Sequence, residues 1–389
     1  MNADRKYPTV RSLEPAAKRR VPRFAFEYLV GGIGDEVGLR RDRQALDAVK
    51  LRPRYLTDCR PALGCTLLGR TYDLPIGISP MGLSGLIWPR SANILALAAK
   101  RHNIPFALSM FATTSLEEIG QLAPGHVWFQ LYVPNDRAIE HDLIARARHL
   151  GYEILVVTID VPTATRRERD IKNGLSVPPR LEFGTVLQIL RRPVWALHTL
   201  QTGIPEFENI KPYLPRKLTL AELGKYVSEI AEGHVSVERL KSIRERWPGK
   251  LVVKGILDPA DALACKATGV DAVIVSNHGG RQLDAAPAAI EVLADVKNAV
   301  GASMPVLLDG GIRSGLDVAR ALASGADFVF LARAFMFGIA ALGRDGGDHV
   351  ISILREELRS TMGQLGCQEL TALPSFIWKG GPSHDVAGI

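Results

Sequence analysis

Asp271-Ala272-Val273-Ile274-Val275-Ser276-Asn277-His278-Gly279-Gly280-Arg281-Gln282-Leu283-Asp284 carries a short apolar run straight into a polar loop with two glycines. A run such as Ala272–Val275 suits a strand buried on both faces, and its sudden change of character marks the strand's end. Runs of the same kind recur at Pro75–Ile78, Pro105–Leu108, Val127–Leu131, Ile154–Ile159, Leu251–Val253, Pro305–Leu308 and Phe328–Leu331. Stretches with helical periodicity alternate with them: Ala92–Lys100, Leu116–Leu122, Asp136–Leu150, Val237–Arg246, Pro259–Ala267, Ala288–Val300, Gly315–Ala323 and Val350–Gln364. Eight strands alternating with helices predict an α/β chain folded as a (β/α)8 TIM barrel. A doubly wound sheet fits less well: Gly32-Ile33-Gly34 lacks the third glycine of a dinucleotide fingerprint and follows no strand, so Gly31-Gly32 reads as a helix stop.

In such a barrel the chemistry lies at the C-terminal strand ends. Those ends carry Ser79-Pro80-Met81-Gly82, Ser109-Met110-Phe111, Gln130-Leu131-Tyr132, Thr158-Ile159-Asp160 with Arg167 beyond, Lys254-Gly255, Ser276 with His278 and Arg281, Asp309-Gly310-Gly311-Ile312-Arg313, and Ala332-Arg333. One polar strand end is an ordinary turn, but eight in succession with Lys, His, Asp and four Arg mark a reactive site. A neutral imidazole can take a proton near neutrality, and a guanidinium grips a carboxylate through two parallel hydrogen bonds. His278 and Arg281, three residues apart, suit an acid whose neighbouring carbon is to be oxidised.

The bounds agree. A chain of 389 residues with 47% hydrophobic and 23% charged residues is a globular protein of one large domain or two smaller ones. Cys59, Cys65, Cys265 and Cys367 show neither paired spacing nor histidine company, so neither a disulfide framework nor a metal site is expected. The net charge of +7 is dispersed, with no basic block, and nucleic-acid binding is not expected. No secretory signal and no apolar run of membrane-spanning length are apparent, which suggests a cytoplasmic protein.

Residues 1–379 read as a single domain opening with a helical segment over Pro8–Leu51, with a long insert at about 180–235 between strands four and five and a flexible tail at 380–389. Within the insert, Val186-Leu187-Gln188-Ile189-Leu190-Arg191-Arg192-Pro193-Val194-Trp195-Ala196-Leu197 is apolar and aromatic with two adjacent arginines. Around 183–200 this permits a peripheral helix on the inner face of the cytoplasmic membrane; the alternative is a loop packed on the barrel mouth or on a neighbouring subunit.

From about Pro8 to Leu373 the chain resembles the FMN-dependent 2-hydroxy-acid dehydrogenase and oxidase family, which includes glycolate oxidase, L-lactate dehydrogenase and (S)-mandelate dehydrogenase. Ser276-Asn277-His278-Gly279-Gly280-Arg281-Gln282-Leu283-Asp284 carries the resemblance. Phe129-Gln130-Leu131-Tyr132-Val133, Arg167-Glu168-Arg169-Asp170, Val253-Lys254-Gly255 and Asp309-Gly310-Gly311-Ile312-Arg313 support it. It implies FMN on a barrel that assembles as a homotetramer. Lys254 would then lie against the flavin N1/C2 region and favour the anionic reduced ring. Pro80, Met81 and Gly82 would flank the ring, and Ser109, Gln130 and Thr158 would bond its edge. Asp309 and Ser276 would meet the ribityl chain or its polar surroundings, while Gly310, Gly311, Arg313, Ala332 and Arg333 would hold the phosphate.

On the substrate side the resemblance implies that Arg167 and Arg281 clamp the carboxylate with help from Tyr28. His278 is the base, Tyr132 bonds the substrate oxygen, and Asp160 supports the imidazolium. Both a hydride and a carbanion route use His278. Gly82 stands where oxidases of the family often have alanine, which favours a quinone or cytochrome acceptor over oxygen. Phe111, against the substrate side chain, favours an L-lactate-like acid, whereas Gly82 and the apolar insert favour the (S)-mandelate branch. The competing expectations are an oxidase producing hydrogen peroxide, a Schiff-base lyase using Lys254, and a barrel without activity.

Overall fold

The computed structural model describes residues 3–173, 183–214, 230 and 233–379. The expected tail at 380–389 and, within the expected insert, residues 180–182, 215–229 and 231–232 lie outside the described residues. Eight parallel strands close into a barrel in sequence order: Ile76–Ile78, Phe106–Ser109, Val127–Tyr132, Ile154–Thr158, Lys250–Ile256, Ala272–Ser276, Val306–Asp309 and Phe328–Leu331. Closure is made where Val329 and Phe330 of the last strand pair with Ile76 and Gly77 of the first.

Several strands run one residue past the apolar stretch that announces them. Ladder hydrogen bonds are made by backbone and ignore side-chain polarity, so Ser109, Tyr132, Ser276 and Asp309 occupy the last rungs of their strands. Ser109 lies opposite Gln130, Thr158 opposite Lys254, and Ser276 opposite Asp309. The barrel thus ends in a ring of polar side chains on rigid backbone, above a dry interior.

That interior is filled by alternate residues of the strands, among them Trp128, Val156, Val252, Ile274, Leu307, Phe328 and Phe330. Trp128 and Phe330 meet with ring centres 5.1 Å apart. A hairpin of Cys65–Leu67 and Arg70–Tyr72, too short to show in the residue pattern, closes the opposite end; its Leu67 and Tyr72 join the interior cluster.

The N-terminal helices lie outside this frame. Val10–Arg20 packs on Arg333–Leu342. Arg23–Val30 brings Tyr28 to the barrel mouth and ends at Gly31, as expected. Helix Val37–Ala48 packs Asp42 and Leu46 against Gly311 in the loop after the seventh strand. The insert begins with two helices, Phe183–Leu190 and Pro193–Thr202. The Trp195 indole is buried there, donating to the carbonyls of Leu86 and Ile87 and meeting the edge of Phe24. Leu190 and Leu200 of the same helices are 70% and 82% exposed. Among the described residues no helix is long and apolar enough to cross a membrane.

Truncating the barrel's largest interior ring tests this frame. Trp128→Ala is expected to cost about 3–5 kcal/mol of unfolding free energy, read from the shift of the urea midpoint by circular dichroism. A change under about 1 kcal/mol would mean the interior is loosely packed.

Candidate active site

The polar ring opens into a cavity of about 500 Å³ at the C-terminal end of the barrel. Its walls include Met81, Phe111, Tyr132, Lys254, His278 and Arg281 on one side and Gly310, Gly311, Arg313, Ala332 and Arg333 on the other.

His278 anchors the first group. Its backbone takes φ +56°, a left-handed conformation uncommon for a residue with a side chain, and its N–H is held by the Ser276 hydroxyl at 3.1 Å. Nδ1 lies 2.8 Å from Asp160 Oδ1. An ionised carboxylate only accepts hydrogen bonds, so Nδ1 carries the proton and Nε2 is the free basic lone pair. The Tyr132 hydroxyl stands 3.4 Å from that Nε2.

Burial pushes the His278 pKa down and the Asp160 charge pushes it up; the balance lies below the ordinary imidazole value, so the ring is neutral at pH 7. Burial works to raise the Asp160 carboxyl, but the charges of His278 and Lys254 hold it below the usual carboxylate range. Gly255 makes room for this pair. It adopts φ +104° at a bulge in the fifth strand, and a Cβ there would come within 2.6 Å of Asp160 Cβ.

Lys254 is buried, donates to Ser276 Oγ at 2.9 Å and lies 3.9 Å from Asp309 Oδ2. Asp309 also accepts from the Ser79 hydroxyl. Ser109, Gln130 and Ser276 sit one layer behind the cavity wall: Ser109 Oγ accepts from the Phe111 N–H, and Gln130 Nε2 donates to Thr158 Oγ1 at 3.0 Å.

Arg281 stacks over the Tyr28 ring at 4.9 Å and donates to the Tyr28 carbonyl at 2.9 Å. Burial, then the like charge of Arg167, pushes its pKa down to about 10, so it remains a cation. Arg167 has a buried Nε with no hydrogen-bond partner, and its Nη1 lies 3.9 Å from Asp170. Two guanidiniums therefore converge beside the basic face of His278, which can seat a carboxylate next to a carbon–hydroxyl group. Tyr28 donates its hydroxyl to the Gly82 carbonyl at 3.2 Å.

At the other end, Gly310 and Gly311 turn with φ of +136° and +75°. Burial first, and then the charge of Arg313, presses Arg333 down to about 9; burial and then Arg43 press Arg313 to about 10. Neither arginine is ion-paired among the described residues. Arg333 opens helix Arg333–Leu342, whose N-cap, Ala332, offers no side-chain hydrogen bond, leaving first-turn N–H groups for an anion. Ala332 has φ −109° and fits without strain. Paired buried cations, a glycine turn and an uncapped helix start fit a phosphate. The partnerless buried Oε1 of Gln130 fits the hydrogen-bonding edge of a ring system. The residues present therefore fit FMN.

The structure brings every residue singled out in the sequence to this cavity or the layer behind it. Ser79 and Asp170, from the same motifs, also line the cavity, and Ile171 and Phe207 are new to it. Asp170 follows Arg167 by one helical turn, a spacing visible in the sequence; Phe207 arrives from the insert, past helix Pro193–Thr202, with no local signal. Its ring meets Phe111 edge-on at 5.6 Å, while Phe111 also leans on Tyr132 at 5.2 Å. Among the described residues no group of three or more His, Cys, Asp or Glu side chains could hold a metal ion.

Residues 17–379 match the family model for FMN-dependent dehydrogenases. The chain is 37% identical over 369 residues to (S)-mandelate dehydrogenase of Pseudomonas putida, covering 94% of this chain and 93% of that one. It is 38% identical over 358 residues to L-lactate dehydrogenase of Xanthobacter autotrophicus, covering 92% of each. Among solved structures, the monotopic membrane protein (S)-mandelate dehydrogenase superposes with a TM-score of 0.90 at 36% identity, covering 96% of this chain and 99% of that chain. A mutant of mandelate oxidase with (S)-mandelic acid gives 0.78 at 33%, covering 94% of this chain and 97% of that chain. The match to the family model over residues 17–379, on a closed barrel with a histidine, a buried lysine and a glycine–arginine turn at one end, places this chain in the FMN-dependent dehydrogenase family.

Proposed function

We propose that this enzyme oxidises an (S)-2-hydroxy acid, L-lactate-like in size, to the 2-oxo acid and passes the electrons to a quinone or a cytochrome. The observation that carries the reading is the line Asp160–His278–Tyr132, which points a free imidazole nitrogen into a cavity flanked by two arginines. Bound FMN supplies the two-electron acceptor. Arg167 and Arg281 bind the substrate carboxylate, fixing the α-carbon beside His278 Nε2. That nitrogen takes the proton, Asp160 stabilises the imidazolium that results, and the Tyr132 hydroxyl bonds the substrate oxygen. Lys254 would lie against the flavin, where its ammonium favours the reduced ring. Gly310, Gly311, Arg313, Ala332 and Arg333 hold the phosphate; Pro80, Met81, Gly82, Ser109, Gln130, Thr158, Ser276 and Asp309 serve the remainder of the cofactor.

Phe111 and Phe207 together wall the space left for the substrate side chain, which favours a small acid. A specific observation supports (S)-mandelate as the second reading: the similarity to mandelate dehydrogenase is at least as strong as that to lactate dehydrogenases. A Cβ at Gly82 would press to 3.3 Å from Phe111 Cβ, so the glycine leaves that wall unstrained. Val186, Leu190, Val194, Leu197, Leu200 and Ile204 expose an aliphatic stripe along the insert helices, with Arg191 and Arg192 between them. This stripe supports peripheral contact with the inner face of the cytoplasmic membrane, where a quinone is within reach. Exposed Tyr55, Leu56 and Trp378 offer apolar surface for assembly as a homotetramer.

His278→Gln is expected to keep the yellow flavin spectrum and lower kcat by a factor of about 10²–10⁴ on L-lactate, measured by stopped flow; near-normal turnover would remove His278 from its role. Because the base must be neutral, kcat/KM should fall on the acid side as His278 gains its proton, at a pH below the ordinary imidazole value. Asp160→Asn removes the charge that raises the His278 pKa. It should therefore move that limb to still lower pH while reducing kcat, and an upward move would contradict the pairing. Phe207→Ala should raise the ratio of kcat/KM for (S)-mandelate over L-lactate by about tenfold or more. An unchanged ratio would mean that Phe207 does not bound the substrate pocket.

A further inference from the structure

A second carboxyl near the site has no part in the chemistry above. Asp42, on helix Val37–Ala48, is 2% exposed. Its Oδ1 accepts from Asn277 Nδ2 at 2.6 Å, while its Oδ2 is buried with no hydrogen-bond partner. A Cβ built on Gly310 would lie 3.8 Å from that Oδ2, and one on Gly311 would lie 3.1 Å from Asp42 Cβ. The carboxyl thus backs directly onto the glycine turn assigned above to the phosphate. The charged groups that act on it are Arg313 and Asp309 from the seventh strand and its loop and Arg333 from the eighth. Asn277 faces it from the sixth strand's loop, and Arg43 of its own helix is engaged with Asp317 at 2.6 Å.

We propose that Asp42 is a positioning residue for cofactor retention: it carries a proton while FMN is bound, and its ionisation loosens the hold on the phosphate. The inference rests on the phosphate placement proposed above. Before a phosphate arrives, Arg333 and Arg313 are the positive charges that favour ionised Asp42. Burial nevertheless lifts the carboxyl to about 6. A seated phosphate neutralises those arginines and adds negative charge behind which an ionised Asp42 has no compensation, so the carboxyl holds its proton more tightly still.

Linkage fixes the sign. A group whose pKa rises on binding favours binding fully below its value in the unliganded protein, and that favour is lost as pH climbs through about 6 towards the value in the loaded protein. The second ionisation of the phosphate itself, near pH 6, works the other way, because the dianion is the better ligand for two arginines. The two effects are separable: Asp42→Asn keeps the side chain's shape and the oxygen that Asn277 bonds, and removes only the titration.

The test is the dissociation constant of FMN, and of riboflavin as the analogue without phosphate, measured by flavin fluorescence from about pH 5.5 to 8.5 in the wild type and Asp42→Asn. The expected result is that the ratio of the wild-type to the Asp42→Asn constant for FMN grows about tenfold or more across that range, while the same ratio for riboflavin stays flat. Parallel FMN profiles in the two proteins would overturn the proposal. Asp42→Ser, a second variant without the titration, should give the same widening of the wild-type to variant ratio for FMN, and parallel profiles there would also overturn the proposal. Equal affinity for FMN and riboflavin at acid pH would instead show that the phosphate seat is misplaced, and the role of Asp42 would go with it.

Discussion

The hydrogen bond from His278 Nδ1 to Asp160 Oδ1 sets what the rest of the molecule has to provide. It joins the end of the fourth strand to the loop after the sixth across the fifth, so it exists only if three parallel strands keep their register. Its supports are costly in isolation. His278 sits in a left-handed conformation, Gly255 bulges to clear the carboxylate, and Asp160 is nearly out of water. Losing this bond would leave a largely buried carboxylate short of a donor, a cost of about 1.5–3 kcal/mol that keeps the imidazole in one tautomer and one orientation.

Around this bond the charges of the barrel mouth divide into two ends. Arg167 and Arg281 stand by the imidazole; Arg313 and Arg333 stand by the glycine turn; Lys254 lies at the polar ring between them. Burial weakens the hold of Arg281, Arg313 and Arg333 on their protons, yet all three stay charged well above neutral pH. A cavity with so many dry cations favours ligands that bring negative charge to both ends at once, one as a carboxylate and one as a phosphate. The acids distributed among them, Asp160, Asp170, Asp309 and Asp42, offset part of that field and set where protons reside.

Much of this was legible in the residues. Apolar runs such as Ala272–Val275 announce buried parallel strands because they are too short for buried helices and end in polar and glycine residues, and the polar groups that follow them collect at one end of a closed barrel. The apolar runs stop one residue short of the strands at Ser109, Tyr132, Ser276 and Asp309, since a polar side chain hides a backbone that still pairs. The hairpin at Cys65–Tyr72 escaped notice because three-residue strands have no periodicity. Phe207 and Asp42 could not be found from local pattern: each reaches the site through distant packing, Phe207 against Phe111 and Asp42 behind Gly310. The insert was legible only as a composition. The structure adds that Trp195 pins it to the first barrel loop while its leucines face outward.

In the proposed function substrate choice rests on the wall made by Phe111 and Phe207, which is shared between the second strand's loop and the insert. The Phe111–Phe207 contact therefore ties side-chain selection to the same segment that carries the exposed aliphatic stripe. The core of the account, a free imidazole nitrogen acting on the α-carbon of a clamped hydroxy acid, is tested most directly by the half-reaction without oxygen. Purified yellow protein is mixed anaerobically with (S)-lactate and, separately, with (R)-lactate while the visible flavin band is followed. Rapid bleaching by the (S) acid alone is the predicted result; equal bleaching by both enantiomers, or none by any 2-hydroxy acid offered to the flavin-loaded protein, would contradict it.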